Sequence, residues 1–147
     1  MNFIDKAFEQ NLSGDDFLQA MADIYSEPEV YKILDQYPSF VADVILIMDY
    51  DTALQMDGFD DIISGNLSSR YTEIVAALKR CGAEHEAGIL EKAKELYDSD
   101  EESYNKEYDN LNGQIALHND YNGFWDIIRV YIDENLEKFQ LGWIARS

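Results

Sequence analysis

Phe40, Val41, Val44, Ile45, Ile47 and Met48 recur so closely that a helix drawn through them keeps almost no polar side. A helix that is apolar around most of its circumference must be surrounded by other elements, because laying it on a surface would leave half of it in water. Pro38 forces a new start just before it, and Ser39 is placed to cap it. The longest uninterrupted apolar run, Val44 to Met48, is bracketed by Asp43 and Asp49 and falls far short of a bilayer span. The segment therefore predicts a central, buried helix within a helical protein.

The rest of the chain keeps the same period. Two prolines, eight glycines and apolar residues three or four positions apart leave little strand-like alternation. Asn2 to Asn11 reads as a short helix, and Ser13-Gly14-Asp15-Asp16 sets a capping serine three residues ahead of an acid, opening a helix through Phe17, Met21 and Ile24. Pro28 starts a short segment to about Gln36. The central helix runs toward Met56 and breaks at Asp57-Gly58, after which Phe59 to Ile63 forms a short helix closed by Gly65. Tyr71, Ile74, Val75, Leu78 and Cys81 share a stripe, and Gly82 follows Lys79-Arg80-Cys81 in the order of a basic last turn and a left-handed terminating glycine. A helix with Ala87, Leu90, Ala93, Leu96 and Tyr97 stops near Asp98; a polar link then leads to a Tyr- and Asn-rich helix ending before Asn119. The last long helix carries Phe124, Ile127, Ile128, Tyr131, Ile132, Leu136 and Phe139 on one stripe. Without an internal repeat or a linker, residues 1–147 are expected to form a single all-α domain of about seven or eight helices.

Charge narrows the choice of partner. Thirty Asp and Glu stand against 11 Lys and Arg, for a formal charge of -19. Nucleic acid and anionic membrane require a basic footprint, so direct binding to either is disfavoured and a basic protein is the complementary partner. Residues 1–61 hold 14 acids and 2 bases, residues 62–97 hold 5 of each, and residues 98–147 hold 11 acids and 4 bases. A neutral stretch is thus flanked by two acidic ones. The single Cys81 makes no internal disulfide, and Met1 to Gln10 mixes Asp5, Lys6 and Glu9 with apolar residues, unlike a secretion signal; the expectation is a cytoplasmic protein.

Catalytic constellations are not found. His85 and His118 are the only histidines and form no HExxH pattern, and no glycine-rich stretch matches a phosphate-binding loop. Asp49, Asp51, Asp57, Asp60 and Asp61 invite a calcium reading, but setting Gly58 at the glycine of an EF-hand loop places Ala53 and Gln55 at the first carboxylate positions and Ser64 at the bidentate glutamate. Cys81 lies on an apolar stripe and reads as a buried small side chain. No enzyme activity, metal or other cofactor is expected. Tyr104 and Tyr108, four residues apart within an acidic stretch, are expected at the surface, where tyrosine combines apolar area with a hydrogen-bonding tip.

From the middle of the central helix onward the sequence resembles the DNA-mimic protein family of small acidic helical bacterial proteins. The resemblance covers about residues 44–139 and is carried by Gly58-Phe59, Ala77-Leu78 and Gly82-Ala83 in order and spacing, with Asp120-Tyr121 and Tyr131-Ile132 further on. Met56-Asp57 stands where the family has Asn-Gly, and Asp61 where a glutamine is usual. The resemblance implies an all-helical fold, a frequent homodimer, no catalytic residues, and carboxylates that occupy the DNA-binding surface of a transcription factor.

Three readings of the acidic surface stay open: a DNA mimic, an immunity or antitoxin-type protein that neutralises a basic toxin, and an interaction module without mimicry. All three place the partner on an acidic face of Asp57, Asp60, Asp61, Asp98, Asp100, Glu101, Glu102, Tyr104, Glu107, Tyr108 and Asp109, with the N-terminal acids converging on it.

Overall fold

Asn2 opens the first helix, α1 (Phe3–Glu9), with a reciprocal cap: its side chain accepts the Asp5 N–H at 2.9 Å, and Asp5 accepts the Asn2 N–H at 3.2 Å. The computed structural model describes residues 1–99 and 104–146, with side chains for residues 1–99 and 106–139. Helix α2 (Gly14–Met21) begins differently from expectation. The Ser13 side chain makes no capping bond; the Gly14 N–H is instead satisfied by Asp133 Oδ1 at 2.6 Å, a carboxylate 119 residues away. Two 3₁₀ segments follow, Ala22–Tyr25 and Pro28–Gln36, so the stretch between the prolines winds more tightly than an α-helix.

Helix α3 (Ser39–Asp57) is the apolar helix of the sequence reading. Phe40, Val41, Val44, Ile45, Leu46, Ile47, Tyr50 and Leu54 are all buried. It stops where Gly58 takes φ +86°, a left-handed conformation that glycine adopts without a side-chain clash, and α4 (Phe59–Ile63) follows. A 3₁₀ turn (Ser68–Arg70) leads into α5 (Tyr71–Arg80), which ends at Gly82 with φ +88°, as its basic last turn foretold. Helices α6 (Glu84–Ser99), α7 (Tyr104–Gly113), α8 (Ala116–Asn119) and α9 (Tyr121–Arg146) complete the chain. Among the described residues this makes nine α-helices and three 3₁₀ segments and no strand: the all-α expectation holds, with α8 split off as a separate short turn.

The chain divides into two compact units, residues 1–45 with 128–147, and residues 46–127; α3 and α9 each contribute to both. In the first unit Phe8 packs edge-on to Phe17 and Phe40 and against Phe139, beside the buried Ile4, Met21, Ile24 and Ile132. In the second, Tyr50, Ile62, Ile63, Ile74, Leu78 and Leu90 are fully buried. There the start of α6 is tied beside the end of α7, because His85 Nε2 meets the Gln114 carbonyl at 2.9 Å and Glu86 accepts the Ala116 N–H at 2.8 Å. The two helices consequently run antiparallel.

The apolar stripe of α9 needs correction. Phe124, Trp125, Ile128, Ile132 and Leu136 are buried, a step of three and four residues that turns Ile127 and Phe139 toward solvent, at 40% and 44% exposure. Tyr97, assigned to the inner stripe of α6, is also exposed.

Because Ile45 is fully buried, Ile45→Asp is expected to cost about 4 kcal/mol or more, the scale of an unpaired buried charge. Far-ultraviolet circular dichroism should show its cooperative thermal transition lowered or abolished.

Candidate functional site

Several inward-pointing carboxylates of this acidic protein are held by tyrosine hydroxyls. In the first unit Tyr37 donates to Asp5 at 2.9 Å and Tyr131 donates to the buried Asp43 at 2.7 Å. In the second, Tyr50 donates to Glu86 at 3.2 Å, Tyr108 to Asp60 at 2.6 Å, and Tyr121 to Asp51 at 2.8 Å, where the Trp125 indole N–H adds a bond of 3.2 Å. A hydrogen bond to an ionised acceptor is stronger than a neutral one, yet a tyrosine brings no positive charge. The carboxylates are anchored and the protein stays acidic.

The hydroxyls remain donors. Burial, reinforced by Glu86 and Asp51, holds the Tyr50 phenol well above its ordinary range, and burial likewise raises Tyr37. Burial also pushes the Glu86 carboxyl up, against the lowering effect of the Ala116 and Leu117 N–H groups and of Tyr50. Glu86, 1% exposed, thereby serves as the N-terminal cap of α8 from inside the second unit.

The bond from Tyr108 to Asp60 also assembles the acidic surface of the second unit. It joins α7 to α4, and the Tyr108 ring stacks on Phe59 with centroids 4.9 Å apart. Lys94 on α6 reaches α4 through the Ile63 carbonyl at 3.4 Å, pairs with Asp98 at 3.6 Å and lies 5.2 Å from the centre of the Tyr97 ring. Exposed Asp60, Asp98, Glu107 and Asp109 and half-buried Asp61 are thus carried by α4, α6 and α7, with exposed Asp57 at the end of α3 just before α4. Of the expected grouping of the Asp57–Asp61 break with the Glu101–Asp109 segment, the structure describes the contact of Tyr108 with Asp60 and Phe59. Tyr108 is a correction: it is 6% exposed and acts as the bolt beneath the surface, because an aromatic four residues from Tyr104 faces Phe59 when α7 packs on α4. Asp61 also has local work, since its Oδ1 accepts the Asn66 N–H at 3.0 Å.

Asp100, Glu101 and Glu102 lie outside the described residues, as does the side chain of Tyr104. The N-terminal acids belong to the first unit. Asp51 is withdrawn from the aspartate cluster that suggested calcium, being buried beneath Tyr121 and Trp125. No group of three or more potential metal ligands occurs among the described residues, and none of their helices is long and apolar enough to cross a membrane. Cys81 is buried, as its stripe implied.

The inward acids Asp43, Asp51 and Glu86 escaped sequence reasoning, although a signal existed. A helix expected to be buried on all sides cannot expose every acid it contains, so Asp43 and Asp51 in α3 required internal donors.

Removing the Tyr108 hydroxyl with Tyr108→Phe keeps the ring and should cost about 2 kcal/mol in urea unfolding, the scale of a hydrogen bond to a charged group. For Glu86 the sign follows from its raised folded value: the stability linked to its proton is fully present below its ordinary value of 4.5 and is lost as the pH rises through the folded value. Glu86→Gln lacks this dependence. Urea titrations should therefore find the unfolding free energy of the native protein, relative to the variant, falling from below pH 4.5 toward neutrality.

The family model of the DMP19-like proteins matches residues 35–144, taking in all of α3 and every later element up to most of α9. No curated protein and no solved structure matches the chain. Covering well over half of the chain and spanning the positions of Gly58-Phe59 and Gly82-Ala83, the match extends beyond the resembling region at both ends. The chain belongs to the DMP19-like family, the DNA-mimic family that its sequence resembles.

Proposed function

We propose that the protein is a DNA mimic: the acidic surface of the second unit binds a basic, DNA-binding protein on the surface that would otherwise hold DNA. The observation that carries this reading is the bond from Tyr108 to Asp60, which fixes carboxylates of α4 and α7 on adjoining helices without spending a base on them. Residues 46–127 hold 18 acids against 6 bases, so the field of this unit is strongly negative. Duplex DNA presents about one charge per ~1.7 Å of axis, and a competitor must likewise hold its charges on a firm frame. Membership of the family supports the same role. The protein acts by occupancy rather than turnover, in the cytoplasm, where a regulator would meet it, and the family resemblance points to a homodimer.

Affinity capture from native lysate at low salt, followed by displacement with duplex DNA, tests the proposal. The expected result is a basic DNA-binding protein released by DNA, with affinity that falls steeply as salt rises. Asp57→Lys combined with Asp109→Lys should slow association about tenfold while leaving the helical signal unchanged, because both side chains are exposed. A partner that binds DNA and this protein at once excludes mimicry in favour of a plain interaction module. Recovery of a basic toxin replaces mimicry by toxin neutralisation.

A further inference from the structure

Helices α6 and α7 do not close on each other along their whole length. Between them in the second unit lies a cleft of about 510 Å³, within the range of roughly 300–1,000 Å³ typical of ligand sites. Leu96 and Leu111, both only partly covered, supply its apolar lining. Glu95 from α6 and Glu107 from α7 line it with exposed carboxylates, and Asn110 adds an amide. Lys92 is the one base among the described lining residues. It lies one turn nearer the start of α6 than Glu95, and in the antiparallel pair Glu107 lies toward the opposite end. Glu95 adjoins Leu96 on α6 and Asn110 adjoins Leu111 on α7, so acceptors and apolar surface alternate along the cleft, and its described lining carries two carboxylates against one ammonium.

We infer that this cleft is a receptor for an arginine side chain of the basic partner. The aliphatic stem of an arginine matches Leu96 and Leu111, while its planar guanidinium offers five donors in a fork suited to two carboxylates and an amide oxygen. Long cationic side chains favour such a setting, stem on apolar surface and head among acceptors. A phosphate or nucleotide is disfavoured by the two carboxylates, and a purely apolar residue would leave them without a counter-charge. The inference rests on the reading that the partner is basic, and it adds a shaped contact to a surface otherwise described by charge alone.

The probe is the tripeptide acetyl-Gly-Arg-Gly-amide, titrated into the full-length, nitrogen-15-labelled protein at low salt and followed by amide chemical shifts. Saturable shifts centred on residues 92–96 and 107–111 are expected, weaker with lysine in place of arginine and lost with norleucine. Glu95→Gln with Glu107→Gln should weaken binding about tenfold, two partly exposed ion pairs' worth, with unchanged circular dichroism. Asp57→Lys with Asp109→Lys, which leaves the lining intact, should retain the cleft shifts. Equal binding of the norleucine peptide, or shifts spread over all acids without saturation, overturns the inference. Those results leave DNA mimicry standing if a captured partner is still released by DNA. Conversely, cleft binding with a partner that DNA does not displace retains the receptor and removes the mimicry.

Discussion

The constraint on which the structure depends is the satisfaction of carboxylates in a chain that has 30 acids and only 11 bases. Asp43, Asp51 and Glu86 are buried in or beside the apolar core, where an unpartnered charge would cost several kcal/mol. Tyrosine and tryptophan donors meet that demand. Tyr131 serves Asp43, Tyr121 and Trp125 serve Asp51, and Tyr50 joins two backbone N–H groups on Glu86. Neutral donors let the fold hold its acids in place without cancelling their charge. Ion pairs would have done the first and undone the second.

The same device links packing to the surface. Tyr108 is buried against Phe59 and bonded to Asp60, so a core contact also positions an exposed carboxylate on α4 beside the acids of α7. Lys94 does the complementary work from α6, reaching the Ile63 carbonyl while its charge is shared with Asp98. Other bases pair with single acids or small groups of them: Arg129 with Asp15, Arg70 with Asp49 and Glu73, and Lys79 with Glu91. These pairs are partly exposed and contribute little to stability, since solvent screens them.

Function on this reading is a matter of how charge is displayed rather than of reactive groups. Family membership and the fold agree on the type of protein, while the specificity of any partner has to come from shape. The cleft between α6 and α7 supplies shape, because its leucines beside Glu95 and Glu107 favour a side chain with an apolar stem and a cationic head. An acidic patch alone attracts every basic protein; a cleft that combines apolar and acidic lining discriminates among them.

Periodicity and composition alone determined the helical class, the buried α3, the break at Gly58 and the stop at Gly82, since each depends on residues close together in the chain. They also determined the acidity, and with it the sign of any partner. Only the tertiary structure decided which acids face inward and which tyrosines answer them, because Asp51 meets Tyr121 across 70 residues and Asp43 meets Tyr131 across 88. The replacement of the Ser13 cap by Asp133, the outward turn of Ile127 and Phe139 and the inward turn of Tyr108 have the same origin. A side chain's neighbours along a helix are set by the helical period, but the element it packs on is chosen by the fold as a whole.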